Sequence, residues 1–194
     1  MLNICKPSGT VSQLVDSSSG IHPRFAPYYI RSVRADKKDP LAQFMIDEGF
    51  PHEVDVMKPE HQYVFYFPQK SPEGSVCVKD VTAMQQMALW QTYQDVWCEH
   101  KPSITVYYKD SEFLELGQYV YNNFDKLSGV SFLPYSDHNY KQAPYTECTF
   151  EGYQEFVEKM PKNVDWSKAA AYDKGEDRTE GVQQLSCSAG SCEI

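Results

Sequence analysis

The chain has 194 residues, 41% of them hydrophobic, with 27 acidic and 18 basic side chains and a formal net charge of −9. That size and apolar content suffice for a domain with a real core, whereas the acidic excess argues against a broad nucleic-acid-binding surface, which needs clustered Lys and Arg. There is no run of 18 apolar residues and no apolar signal core in the opening MLNICKPSGT, and the six cysteines are scattered at 5, 77, 98, 148, 187 and 192, so the sequence predicts a soluble protein without a membrane span, in a reducing compartment such as the cytoplasm.

In chain order, the first feature is a Gly-containing loop, Lys6-Pro-Ser-Gly-Thr10, with hardly any chain before it. The opening looks cut, and more of the fold is expected upstream. Thr10 is a candidate N-cap for a short helix over residues 11–15, ended by Asp16-Ser-Ser-Ser-Gly20. Ser8, Gly9 and Thr10 would then precede a helix N-terminus, where unpaired N–H groups and the helix dipole favour an anion such as a nucleotide phosphate. The same turn also reads as a plain helix cap, and both readings stay open. It is not a Walker loop, because no Gly-Lys-Ser/Thr follows at the needed spacing.

The stretch His22-Pro-Arg-Phe-Ala-Pro-Tyr-Tyr-Ile30 has two prolines and several aromatics, which predicts an extended or irregular strap packed against something. His22, Arg24, Tyr28 and Tyr29 receive no role from it. Asp39-Pro40 starts a helix with proline at the first helical position, and Gly49 closes it. Residues 63–67 predict a buried strand bounded by Pro68. Residues 80–97 predict a helix that is apolar around most of its circumference and hence largely buried. A strand over 104–108, a helix capped by Asp110 and carrying Phe113, Leu116, Val120 and Phe124, and a strand over 130–133 then make a right-handed parallel crossover. His138 beside Asp137 resembles an acid–base pair, but adjacent residues in a Ser-Asp-His-Asn turn more often serve the turn itself, and no catalytic role is assigned to them. A last helix covers 149–160, with Phe150, Tyr153, Phe156 and Val157 on its apolar face. Strands alternating with helices imply an α/β layer or barrel.

From Trp166 onward the composition turns polar and charged, and the expected organisation is a body over 1–165 followed by a mobile tail over 166–194. A flexible arm of about 20 residues has an r.m.s. reach of roughly 25 Å. Near its end Cys187-Ser-Ala-Gly-Ser-Cys192 places two thiols where packing has no use for them. A closely spaced pair suits dithiol–disulfide exchange, in which one thiolate attacks a disulfide and the second resolves the mixed intermediate. Half of a metal site and an idle structural disulfide are the alternatives; the tail supplies only two of the four ligands usual for structural zinc, and no metal site is assigned.

Four separated motifs occur in order: Lys6-Pro-Ser-Gly-Thr-Val-Ser12, Ser19-Gly-Ile-His-Pro-Arg-Phe-Ala-Pro-Tyr-Tyr-Ile-Arg31, Gln142-Ala-Pro-Tyr145, and the terminal Cys187 and Cys192. Together they resemble the carboxyl part of adenosylcobalamin-dependent (class II) ribonucleotide reductases, nearest the monomeric ribonucleoside-triphosphate reductase branch. Reductases of other radical sources also carry a paired-cysteine tail, and it is the first two motifs that favour cobalamin. The resemblance implies the second half of a ten-stranded α/β barrel with a flexible redox tail, and adenosylcobalamin as cofactor. It gives Pro7, Ser8, Gly9 and Thr10 the substrate's phosphates, and Cys187 and Cys192 the re-reduction of the active-site disulfide, with thioredoxin as their own reductant.

In that family the thiyl-radical cysteine, the disulfide-forming pair and most allosteric contacts belong to chain upstream of Met1, so the resemblance implies an amino-terminal partner chain and no reduction of ribonucleoside triphosphates without it. Cys5, Cys77, Cys98 and Cys148 match none of these motifs and are expected to be bystanders. An inactive truncated product and a stand-alone thiol–disulfide carrier are the competing expectations.

Overall fold

The computed structural model describes residues 3–135 and 141–173. The elements are α1 (Val11–Leu14), β1 (Tyr28–Asp36), α2 (Pro40–Asp47), β2 (His52–Val54), β3 (Gln62–Lys70), α3 (Ala83–Thr92), β4 (Ile104–Tyr108), α4 (Phe113–Asn122), β5 (Val130–Pro134), β6 (Tyr145–Glu147) and α5 (Phe150–Lys159). They divide into two compact units, Met1–Pro27 with Ser71–His138, and Tyr28–Lys70 with Asn139–Ile194. No helix among the described residues is long and apolar enough to cross a membrane.

The first unit contains the expected crossover. β4 and β5 pair in parallel from Ile104↔Val130 to Tyr108↔Pro134, joined by α4. Ile21, Ala83, Met87, Trp90, Ile104, Val106 and Leu116 form its core. α3 begins with a capping box: Thr82 Oγ1 accepts from the Gln85 N–H, and the Gln85 side chain accepts from the Thr82 N–H. The expectation of a largely buried helix over 80–97 is corrected. α3 ends at Thr92 in a π-turn, Tyr93–Trp97, and buries only one stripe, Ala83, Gln86, Met87 and Trp90. Val96 and Trp97 stay 81% and 62% exposed. α4 likewise buries Leu116 and leaves Phe113, Leu114 and Tyr121 exposed, as is Phe124 just beyond it.

The edge of β4 opposite β5 is satisfied by side chains. Gln86 accepts from the Tyr107 N–H and donates to the Tyr107 carbonyl, as a neighbouring strand would, and His22 Nε2 accepts from the Thr105 N–H. Backbone groups of a strand need partners wherever they are buried, and here residues on α3 and in the loop after α1 supply them.

The second unit is an antiparallel sheet of order β2-β3-β1-β6. This departs from the alternating strand–helix reading, because β1 and β3 pair directly along nine positions, from Tyr28↔Lys70 to Asp36↔Gln62. Alternation sorts the side chains by face. Phe65 and Ala35 belong to one face, packed with Phe44, Met45 and Phe50 of α2 and its C-terminal loop. Tyr28 and Tyr66 belong to the other and meet Phe150, Tyr153 and Phe156 of α5. Pro68 does not bound β3 but lies inside it, opposite Ile30. β2 pairs only as far as Phe65, so Pro68 sits where β3 is an edge strand and its missing N–H breaks no ladder on that side.

α2 starts as expected, with the Asp39 carboxylate accepting from the Leu41 N–H and proline at N1. Gly49 follows it at φ +84. The described part of the expected mobile arm is packed: Trp166–Ala171 is a 3₁₀ turn, Trp166 and Tyr172 meet Phe44, and the Tyr172 hydroxyl donates to Asp47. Aromatic anchors at both ends of this turn outweigh its polar composition.

Candidate functional site

Within the first unit, the loop before α1 is the site that the sequence singles out. Its detail differs from the expectation. Thr10 makes no side-chain capping bond; Ser8 Oγ accepts from the Ser12 N–H instead. α1 is a single turn of four residues, so little macrodipole is available and the helix-terminus argument reduces to individual donors. Among the described residues, the N–H groups of Gly9, Thr10 and Val11 and the Thr10 hydroxyl have no hydrogen-bond partner. Gly9 lies in open space, and Lys6, Pro7 and Thr10 are exposed. Ser12 Oγ is buried and also lacks a partner among the described residues. The loop thus offers uncommitted donors around an unobstructed backbone, which suits an anionic group with several acceptor oxygens.

Residues 16–24 hold this loop. Ser19 Oγ donates to the Ser8 carbonyl at 2.8 Å. The Ser19 carbonyl lies 2.8 Å from His22 Nδ1, and His22 Nε2 accepts from the Thr105 N–H at 2.8 Å. Since Nε2 must accept, Nδ1 carries the proton and donates to Ser19. On the far side of α1, Arg24, 4% exposed, donates to the Ser17 carbonyl at 2.8 Å and the Asp16 carboxylate at 3.0 Å. Arg24 Nε reaches Ser71 Oγ, which donates to the Ala26 carbonyl.

Gly20, at φ +59, lets this segment run against the loop: a Cβ there would stand 3.0 Å from the Lys6 carbonyl oxygen and 3.3 Å from the Pro7 nitrogen. Gly20→Ala is expected to destabilise the chain by about 1–2 kcal/mol. Gly74→Ala, at φ +76 but with no neighbour within 4 Å, should cost less. Urea unfolding of the two variants checks this, and equal losses would contradict the close approach.

Burial holds the His22 imidazole below the usual histidine range, against a smaller raising effect from the Ser19 carbonyl. The folded form therefore takes up its proton at lower pH than the unfolded chain. The stability contributed by the neutral ring is complete above the unfolded value of about 6.5 and is lost as pH falls through the folded value. The thermal midpoint is expected to drop between about pH 7 and about pH 5, and by less in His22→Gln. An identical drop in both would contradict the assignment.

The remaining candidates sort simply. Cys5, Cys77, Cys98 and Cys148 are free thiols, two buried and two half-buried. Burial raises Cys5 and Cys148, with Cys98 and Glu147 adding to it, which disfavours the reactive thiolate. Tyr28 and Tyr29 are packing residues of the second unit, against Phe150 and Tyr145 respectively. Gln142, at φ +60, belongs to a buried polar network there: it accepts from the Val56 N–H, donates to the Val54 carbonyl, and its own carbonyl accepts from Arg34. Cys187, Cys192, Asp137 and His138 lie outside the described residues. Among the described residues no group of three His, Cys, Asp or Glu comes together to hold a metal. What the sequence reading missed is the work of His22 and Arg24; the signal was their place just after Gly20.

No family model matches the chain. It is 30% identical over 193 residues to the adenosylcobalamin-dependent ribonucleoside-triphosphate reductase of Euglena gracilis, covering 98% of this chain and 26% of that protein. The protein of the same name from Lactobacillus gasseri is 28% identical, with 97% of this chain and 26% of that one covered. A probable one from Dictyostelium discoideum is 29% identical, with 97% and 24% covered. The chain spans about a quarter of the length of these curated relatives. Among solved structures, a crystal structure of a B-12 dependent (class II) ribonucleotide reductase matches with a TM-score of 0.72 at 24% identity, over 86% of this chain and 23% of that one, which establishes a shared fold.

Proposed function

We propose, from the premise that this chain is homologous over nearly its whole length to a carboxyl-terminal portion of the adenosylcobalamin-dependent ribonucleoside-triphosphate reductases, that it serves as that portion of such an enzyme. In this reading Pro7, Ser8, Gly9 and Thr10 hold the phosphates of a ribonucleoside triphosphate. The carrying observation is the set of uncommitted donors at Gly9, Thr10 and Val11 on an exposed loop.

The tail pair Cys187 and Cys192 restores the active site after each turnover. One tail thiolate attacks the active-site disulfide, the other attacks the resulting mixed disulfide, and two electrons pass to the active-site cysteines. The tail is left as a disulfide, which a thioredoxin dithiol reduces.

Unit one contributes β4–α4–β5 to a ten-stranded α/β barrel, which among the described residues is fewer parallel strands than the second half that the resemblance implies, and the thiyl-radical cysteine and allosteric contacts come from an upstream portion. The exposed Trp97, Phe113, Leu114 and Phe124 support such a partner, since apolar surface of this kind calls for a cover. Adenosylcobalamin supplies the radical chemistry when bound. The described residues bring together no ligand cluster for a metal, and this chain's own part is to orient the substrate's phosphates and to return reducing equivalents. The chain alone is inactive in this reading, and the assembled enzyme works in the cytoplasm.

In a reductase assembled from this chain and an upstream portion, Gly9→Asp places a carboxylate among the phosphate oxygens. KM for the ribonucleoside triphosphate should rise about tenfold or more, the equivalent of roughly 1.4 kcal/mol. An unchanged KM would remove the phosphate loop from this account.

A further inference from the structure

We infer that His22 is a positioning residue for the phosphate loop, one that fastens the loop to the edge of β4 in its Nδ1–H form. The inference rests on the phosphate-loop reading of residues 7–10 and names what holds that loop in shape. The connection is a series of hydrogen bonds that runs through the carbonyl and the hydroxyl of Ser19. The Thr105 N–H of β4 donates to His22 Nε2, His22 Nδ1 donates to the Ser19 carbonyl, and Ser19 Oγ donates to the Ser8 carbonyl, each at 2.8 Å. Ser8 Oγ then accepts from the Ser12 N–H at 3.0 Å, closing the loop on itself.

Every link has one available direction. The Thr105 amide is a donor only, so Nε2 accepts; Nδ1 must then donate, and the Ser19 and Ser8 carbonyls accept. The strand edge is thereby tied, through the two polar groups of Ser19, to the backbone of residue 8, next to the three free amides of Gly9, Thr10 and Val11. Gly20 admits the approach, and Arg24 pins Asp16 and Ser17 at the other end of α1. The loop is so held at two points by residues of one short segment. Of the two, His22 is the one that ties it to a strand of the parallel pair. Partial burial of the ring limits the access of water to these bonds, and the lowered basicity of the imidazole keeps the accepting nitrogen free. A preorganised set of donors binds an anion more tightly than a loop that must be ordered on binding.

Removing this tie therefore acts on substrate binding rather than on the chemistry that follows. The test uses the assembled reductase with ribonucleoside triphosphate as the probe, and compares wild type, Gly9→Asp, His22→Ala and His22→Gln. Gln places an acceptor oxygen near the position of Nε2 and can still take the Thr105 amide. The expected result is a KM raised about tenfold in His22→Ala, as for loss of a buried hydrogen bond to a positioned group. Its kcat should stay within about twofold, and His22→Gln should recover at least half of the loss on a logarithmic scale. A raised KM in Gly9→Asp with an unchanged KM in His22→Ala would overturn the inference and leave the phosphate loop standing. Unchanged KM in both would remove the loop, and the inference with it. If His22→Ala does not fold, the decision passes to the wild-type ring and to His22→Gln. Long-range ¹⁵N–¹H NMR of histidine-labelled chain should show a protonated Nδ1 and a bare Nε2 at His22, and the opposite tautomer would overturn the inference.

Discussion

With Cys187 and Cys192 both replaced by serine, an assembled reductase containing this chain is expected to turn over about once per active site and then stop, whereas the wild type continues as long as thioredoxin is supplied. The reason is electron balance. Each reduction of a ribonucleotide takes two electrons, and in the proposed reading the active-site pair that furnishes them is left as a disulfide that the tail dithiol must reduce. A dithiol at the end of a polar arm can enter, exchange and leave. Serine keeps the size and polarity of each position but can neither attack a disulfide nor form one, so binding and the first turnover are preserved while regeneration is lost. A small dithiol added in excess should bypass the defect. Single replacements should be as damaging as the double one, because an unresolved mixed disulfide blocks the site as effectively as an oxidised pair. Rapid-quench counting of deoxynucleotide per enzyme checks this. Sustained turnover with thioredoxin in the double variant would mean that the tail pair is not the carrier.

Asp55→Ala is expected to produce the largest loss of stability, about 3–5 kcal/mol. Arg34 Nε donates to Asp55 Oδ2 at 2.6 Å, with the side chains only 7% and 1% exposed. Asp55 Oδ1 accepts from the Met57 N–H at 2.6 Å and the Lys58 N–H at 3.1 Å. Truncation strands a buried guanidinium, leaving it the Gln142 carbonyl at 3.1 Å, and strips both amides of their acceptor. The loss exceeds the worth of the pair itself, because the charge left behind has already been desolvated. Asp55→Asn should cost less, since an amide oxygen can still serve the Met57 and Lys58 donors. Thermal unfolding of the full chain should show a midpoint lowered by roughly 10 °C for Asp55→Ala. A decrease of less than about 2 °C would mean that water reaches the pair and that the network around Gln142 is not a closed interior.

What could be read from the residues and what could not divide along sequence separation. α2 and α5 were legible because their signals are local: Asp39-Pro40 opens the one and Gly49 closes it, and Phe150, Tyr153, Phe156 and Val157 recur at helical spacing in the other. β4–α4–β5 was legible from its alternation of strand and helix periods. The antiparallel pairing of β1 with β3 was not, since Tyr28↔Lys70 joins residues far apart in the chain and the Pro68 that looks like a boundary sits on an edge. Nor was the end of α3, which stops at Thr92 and leaves the apolar Val96 and Trp97 exposed in the π-turn that follows.

The loop over residues 7–10 was found from its composition, but its capping was misassigned. The bond that fixes it comes from Ser8 rather than Thr10, and its support comes through His22 from Thr105, a residue 83 positions away. The place of His22 just after Gly20 marks it as a neighbour of the loop, but a histidine followed by proline carries no sign of a contact at that distance.

The most direct test of the central reading is reduction of a ribonucleoside triphosphate in the presence of adenosylcobalamin and thioredoxin by this chain, by an upstream reductase portion, and by the two produced together. Deoxynucleotide formed only by the mixture, with the two chains copurifying, is the predicted result. An inactive mixture in which the two chains do not associate would contradict it and leave a fold and a set of motifs without the activity of the proteins they resemble.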